Sequence, residues 1–178
     1  MKKFHFRSNS PEKTRALAAR LGQLLAPGDV VALKGELGSG KTEFVHGLAQ
    51  GLGVPAQVPV ASPSFTLAHE YPGRCTLTHI DLYRLEALPP EMLPEMEEYL
   101  YGSRVAVIEW AERLEGLLPE DHLEVRLAIT GESRRDLTFI SHGPRSRHLV
   151  EELSGTPALG MYVEQASPRC SSGFHRKP

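Results

Sequence analysis

The stretch DVVALKGELGSGKTEFVHGLAQ, Asp29–Gln50, decides the fold. DVVALKG is a short apolar run ending in glycine, the mark of a strand buried on both faces over 29–34. Beyond the glycines, Phe44, Val45, Leu48 and Leu52 share one face of a helix that starts near Lys41 and is closed at Gly53. Between them lies GELGSGKT, Gly35–Thr42, which fits the pattern G-x-x-x-x-G-K-T. Gly35, Gly38 and Gly40 carry no Cβ, so the backbone can bend closely around an anion and point its amides inward. Glu36, Leu37 and Ser39 complete the loop. Lys41 supplies a cation for terminal phosphates, and Thr42 a hydroxyl suited to Mg²⁺. The helix that begins here adds its N-terminal dipole. A glycine-rich turn that happens to precede a lysine would leave the three glycines and the Lys-Thr pair unexplained. Strand, loop and helix in this order predict a nucleotide-phosphate site.

Working outward, the chain alternates strands and helices. KFHFR (3–7) alternates as a short strand does, and Ser10-Pro11 opens a helix over 11–25 that ends at Pro27-Gly28. Strands follow at 66–71, 76–83 and 104–110, with a proline-broken acidic segment of short helices between the last two. AERLEGLLP reads as a short helix. HLEVRLAI (122–129) and DLTFIS (136–141) read as an antiparallel hairpin at the sheet edge, and RSRHLVEEL as a last helix. The expected fold is α/β, a P-loop NTPase-like three-layer sandwich with a mainly parallel sheet and antiparallel edge strands. One domain over 1–153 is expected. The serine- and proline-rich segment 154–178 reads as a flexible C-terminal tail.

Composition limits the function classes. The 178 residues are 40% hydrophobic and 24% charged, with a formal net charge of -2, so no broad basic footprint for nucleic acid is expected. Cys75 and Cys170 make neither a zinc framework nor a disulfide scaffold. The N-terminus has no apolar leader, and no run approaches the length of a membrane span, so the expected address is cytoplasmic. Arg134, Arg135, Arg145 and Arg147 are most simply solvated surface residues.

A phosphate site of this kind needs acids to hold and use its metal. Asp81 follows TLTHI and Glu109 follows RVAVI, both at strand ends where α/β sheets bind ligands. Glu109, after the cleaner apolar run, is assigned as the carboxylate near Mg²⁺, directly or through water. Asp81 orients a metal-bound or attacking water. Spacing alone leaves the division of roles between them open. Ser62, Ser64 and Thr66 bring hydroxyls to a loop between these elements, either a γ-phosphate-sensing switch or an ordinary turn. Trp110 beside Glu109 is either core or cover for a ligand or partner. No guanine-reading N-K-x-D follows the loop, so ATP is the expected nucleotide.

PGDVVALKGELGSGKTEFVHGLAQGLGV, SPSFTLAHEY, HIDLYRL, the acidic EEYL segment and VAVIEWAERL occur in that order. Together they resemble the bacterial TsaE (YjeE) family of P-loop ATPases over roughly 10–130. The resemblance implies a subunit that binds and hydrolyses ATP with Mg²⁺, weakly alone, and supports turnover of the TsaD–TsaB heterodimer. That complex makes threonylcarbamoyladenosine in tRNA, which this chain would meet only through its partners. The resemblance makes Lys41 and Thr42 the phosphate and metal contacts, Ser62 to Thr66 the switch-like segment, Asp81 the water-orienting or catalytic acid and Glu109 the metal-associated glutamate. Trp110 is its adjacent tryptophan, and Thr14 becomes a candidate contact near the base. The chain departs from the family at Ser64, where threonine is usual, and at Leu93-Pro94-Glu95-Met96, where leucine-glycine-leucine is common. Two other classes fit a nucleotide site: a nucleotide-dependent binding protein with negligible hydrolysis, and a small-molecule kinase. The kinase would carry an arginine-rich lid, which the sequence lacks.

Overall fold

The computed structural model describes residues 1–63, 66–114 and 116–155. Ser64, and residues 156–178 of the expected tail, lie outside them. Seven strands form one sheet: β1 (Lys3–Ser8), β2 (Val30–Lys34), β3 (Ala68–Tyr71), β4 (Leu77–Asp81), β5 (Val105–Glu109), β6 (Leu123–Ile129) and β7 (Arg135–Ser141). Their order is β1-β7-β6-β2-β5-β4-β3. The central four, β6, β2, β5 and β4, are mutually parallel, and β7 and β3 run against them.

Helices α1 (Pro11–Leu24), α2 (Lys41–Gly51), α3 (Leu93–Tyr101) and α4 (Pro144–Ser154) flank the sheet. Ser10 caps α1 by accepting from the Lys13 amide, with Pro11 in the first turn. Alternation along the strands divides the core in two. Val31, Leu33, Val105, Val107, Val125 and Phe139 pack with Leu17, Leu21, Phe44 and Leu48 of α1 and α2 and with Leu149 of α4. Val30, Ala32, Ala106, Ile108 and Ile80 pack with Met96 and Leu100 of α3. Both faces of β2 and β5 are therefore covered, which is why their sequences are apolar without interruption.

Three expectations change. The β6–β7 hairpin is antiparallel but is not the edge, because β1 adds outside β7, antiparallel to it. The strand expected over 76–83 stops at Asp81, whose carboxylate accepts from the Tyr83 amide and turns the chain. The segment after Trp110 makes only a 3₁₀ turn, Ala111–Leu114. Among the described residues Trp110 is the one non-glycine with positive φ, 60°, and that backbone reversal separates the turn from β5.

Candidate functional site

The site lies at the C-terminal edge of the parallel strands. β2 ends at Lys34 and passes through the glycine loop into α2. Gly40 precedes the helix with φ 98° and offers no side-chain cap, so the first amides of α2 are left for an outside acceptor. Such a φ suits glycine, and a Cβ there would strain the turn. β4 and β5 are parallel neighbours in which Asp81 pairs with Glu109. Both carboxylates therefore end their strands side by side, on the face that α2 covers.

The side chains converge. The Thr42 hydroxyl donates to Glu109, 2.9 Å from Oε1 and 3.2 Å from Oε2. Lys41 Nζ donates to the Gly35 carbonyl at 2.6 Å and the Glu36 carbonyl at 2.9 Å, and lies 4.0 Å from the centroid of the Trp110 ring. Burial lowers the Lys41 pKa from its ordinary value, against the opposing pull of Glu109, Glu112, Asp81 and Glu36. Ser62 donates to Asp81 Oδ2, tying that residue to the end of β4. A cavity of ≈ 420 Å³ opens beside that bond, lined by Ser62, Thr66, Asp81, Tyr83 and Arg84 among others.

Two expected residues stand apart from this cluster. Thr66 donates to the Ala68 carbonyl at 3.3 Å and reaches the site only as part of the cavity wall. Thr14 is buried where β1 meets α1, and its hydroxyl donates to Ser8 Oγ at 2.8 Å and, more weakly, to the Ser10 carbonyl, not to the loop. Of the two readings offered for Trp110, the structure shows the core one. It packs on the second core, and its ring meets Tyr83 with centroids 5.4 Å apart and Arg113 at 5.2 Å.

Surface solvation does not describe the late arginines as a group. Arg135 donates to the Ser39 carbonyl at 3.1 Å and the Gly38 carbonyl at 3.0 Å, pinning the glycine loop from β7. Arg145 grips the buried Asp29 through two bonds of 2.9 and 2.7 Å and also reaches the Leu24 carbonyl. Arg113 fastens the turn after Asp81 through the Leu82, Tyr83 and Leu85 carbonyls. His79 was also missed: it is fully buried, with Nε2 2.9 Å from Glu109 Oε1. A hint was present, since a histidine two residues before Asp81 breaks the apolar run expected of a strand covered on both faces.

The donor set fits Mg²⁺. A threonine hydroxyl and a carboxylate at the start of α2 are hard oxygen ligands, and the open helix terminus and Lys41 suit the phosphates of the same ligand. Ser39 Oγ is buried inside the loop without a hydrogen-bond partner among the described residues.

A second polar cluster lies at the other end of the sheet, where β6 begins and β7 ends. One donor atom each from His122, Glu124 and His142 falls within 4.8 Å of the others. Glu124 already meets Lys34 at 3.1 Å and also pairs with Arg126. The two rings stack at 4.1 Å with planes 11° apart, so no ion can lie in both ring planes. This cluster has a stability consequence. Burial lowers the His122 pKa from 6.5; the Pro119 carbonyl and Glu124 oppose the shift, while His142 and Lys34 reinforce it. On unfolding the ring takes a proton near its ordinary pKa of about 6.5, whereas the folded ring resists it. Its contribution is therefore full above that pH and falls away below it. Urea melts across pH 7.5 to 5.5 are expected to show a declining midpoint in the native chain and a flatter profile in His122→Gln.

The matching family model is that of the threonylcarbamoyl adenosine biosynthesis protein TsaE, which covers residues 8–137. A tRNA threonylcarbamoyladenosine biosynthesis protein TsaE from Bacillus subtilis (strain 168) is 39% identical over 155 residues, spanning 86% of this chain and 96% of that one. Its counterpart of the same name from Treponema pallidum (strain Nichols) is 43% identical over 131 residues, 74% and 96% of the two chains. The crystal structure of Bacillus subtilis YdiB superposes with a TM-score of 0.74 at 37% identity, covering 86% of this chain and 95% of that one. A match running from the end of β1 into β7, with relatives aligned over almost their whole length, means that this chain belongs to the TsaE family.

Proposed function

We propose that the chain is a Mg²⁺-dependent ATP-hydrolysing subunit, weak alone, that sustains turnover of a TsaD–TsaB heterodimer making threonylcarbamoyladenosine in tRNA. The observation that carries this reading is the meeting of Lys41, Thr42 and Glu109 at the open start of α2, in a chain of the TsaE family. Lys41 holds loop carbonyls and can exchange them for phosphate oxygens without moving its backbone. Thr42 and Glu109 would hold Mg²⁺, which supplies charge neutralisation across the phosphates. Asp81, beside Glu109 in register, orients a water toward the terminal phosphate. Ser62 is bonded to that same acid, so a change at the phosphate can be relayed to the SPSFT loop and to whatever partner surface the loop forms. Contact with tRNA is made through the complex. No helix among the described residues is long and apolar enough to cross a membrane.

The test is phosphate release from labelled ATP by the purified chain, with and without TsaD–TsaB. Slow release alone and at least about tenfold stimulation by the heterodimer are expected. No release in either condition would leave a nucleotide-dependent binding protein, and label appearing on a metabolite would make the chain a kinase.

A further inference from the structure

His79 stands behind Glu109, inside β4, and is 0% exposed. Its Nε2 lies 2.9 Å from Glu109 Oε1. A carboxylate oxygen only accepts, so the proton of this bond sits on Nε2. The other ring nitrogen, Nδ1, is buried with no hydrogen-bond partner among the described residues. A histidine placed merely to fill the core would be expected to satisfy both nitrogens, because a buried unpaired polar atom is costly. This ring satisfies only the one that faces Glu109.

Glu109 is thus held from two sides, by Thr42 Oγ1 from α2 and by His79 Nε2 from β4. The two donors differ in what they can do next. The Thr42 hydroxyl is the group suited to Mg²⁺, and it would leave Glu109 on turning to the metal. His79 is fixed by one of the four parallel strands and has no other hydrogen-bond acceptor among the described residues. It remains the side-chain donor on Oε1, which Thr42 also meets at 2.9 Å, and so keeps the Glu109 carboxylate from rotating.

We infer that His79 is a positioning residue: it orients the Glu109 carboxylate for the metal-bound nucleotide by donating from Nε2 to Oε1. This rests on the reading of Glu109 as the metal-associated carboxylate. Outer-shell partners of this kind are worth about 10–100-fold in metal affinity or activity.

The experiment compares the native chain with His79→Leu, which keeps bulk but removes the donor, and His79→Gln, whose side-chain amide can place an N–H near the imidazole Nε2. Three quantities are measured on the full chain: ADP affinity by calorimetry without metal and across a Mg²⁺ series, steady-state phosphate release in the presence of TsaD–TsaB, and the melting temperature. His79→Leu is expected to lose about 10–100-fold in kcat with little change in KM. It should also need several-fold more Mg²⁺ to tighten ADP, while binding ADP without metal within about twofold of the native chain. His79→Gln is expected to recover most of both losses, although its stability is no better than that of His79→Leu. A His79→Leu chain with native kcat and native Mg²⁺ requirement would overturn the inference. So would equal losses in the two variants, or a loss of metal-free ADP binding that matches the fall in kcat. If the native chain binds ADP with Mg²⁺ but releases no phosphate, the ATPase reading alone fails. The difference between the Leu and Gln variants in Mg²⁺ requirement then still decides the role of His79.

Discussion

Glu109→Ala is expected to cut ATP hydrolysis by roughly 100-fold or more, the scale on which removal of one preorganised charge or donor at a reacting centre is felt. Its side chain is almost wholly buried at the end of β5, and it is the acceptor for both Thr42 and His79. Alanine removes the carboxylate and strands two donors. The Thr42 hydroxyl can turn to water or nucleotide, but the His79 N–H cannot, so a stability loss of about 1–3 kcal/mol is expected beside the kinetic one. Glu109→Gln separates the two effects. It keeps an oxygen acceptor and the side-chain shape but gives up the charge. The glutamine chain should therefore melt near the native chain, bind ATP within a few-fold of it, and still release phosphate roughly 100-fold more slowly. Phosphate release is measured under saturating ATP and Mg²⁺ with TsaD–TsaB present. Hydrolysis by Glu109→Gln at the native rate would remove Glu109 from the chemistry.

The largest effect on stability is expected far from any motif chemistry, at Gly51. Helices α1 and α2 lie so close that a Cβ on Gly51 would come within 1.9 Å of the Ala19 carbonyl oxygen and 2.9 Å of Gly22 Cα. These neighbours are backbone and cannot swing aside. Gly47 and Gly22 show the same crossing from its other contacts, with added Cβ atoms at 2.3 Å from the Arg15 carbonyl and 2.5 Å from the Leu48 carbonyl. Gly51→Ala must part the two helices. Overpacking of this kind costs typically about 1–3 kcal/mol, and backbone collision puts this site at the upper end. In a chain of this size that corresponds to a melting temperature lower by roughly 6–12 °C, readable by calorimetry or circular dichroism. The same shift moves α2, whose first residues are Lys41 and Thr42. Weaker nucleotide binding should therefore accompany the loss, although Gly51 lies at the opposite end of the helix. A Gly51→Ala chain with native melting temperature would show that the helices have room the structure does not give them.

Which parts of this were legible in sequence follows from how local each determinant is. β2, the glycine loop and α2 form one contiguous segment, and its boundaries could be read from apolar runs and glycines within 22 residues, Asp29–Gln50. Asp81 and Glu109 stood out because each closes an apolar strand, and the parallel pairing of β4 with β5 sets them side by side. Strand order was harder, because it is fixed by non-local pairing. Nothing in KFHFR says that it will close the sheet outside β7 rather than lie elsewhere. Arginine partners were hidden for the same reason: Arg135 reaches a carbonyl 96 positions away and Arg145 a carboxylate 116 positions away. The turn at Trp110 was unreadable because its positive φ contradicts the preference of a bulky residue, and only the surrounding packing of Tyr83, Lys41 and Arg113 accounts for its place. His79 falls between these cases. Its position in a buried strand was an anomaly visible in the sequence, but its partner came only with the sheet register.

The central claim is that the loop Gly35–Thr42 and the end of β5 grip the phosphates and metal of one ATP. The most direct measurement is calorimetric titration of ATP, with and without Mg²⁺, into the native chain and into Lys41→Ala. One site per chain is predicted, tightened by Mg²⁺, with affinity at least about tenfold weaker in Lys41→Ala, since an ammonium–phosphate contact is a charge-assisted bond. Equal affinity in the two chains, or binding indifferent to Mg²⁺, would contradict the account.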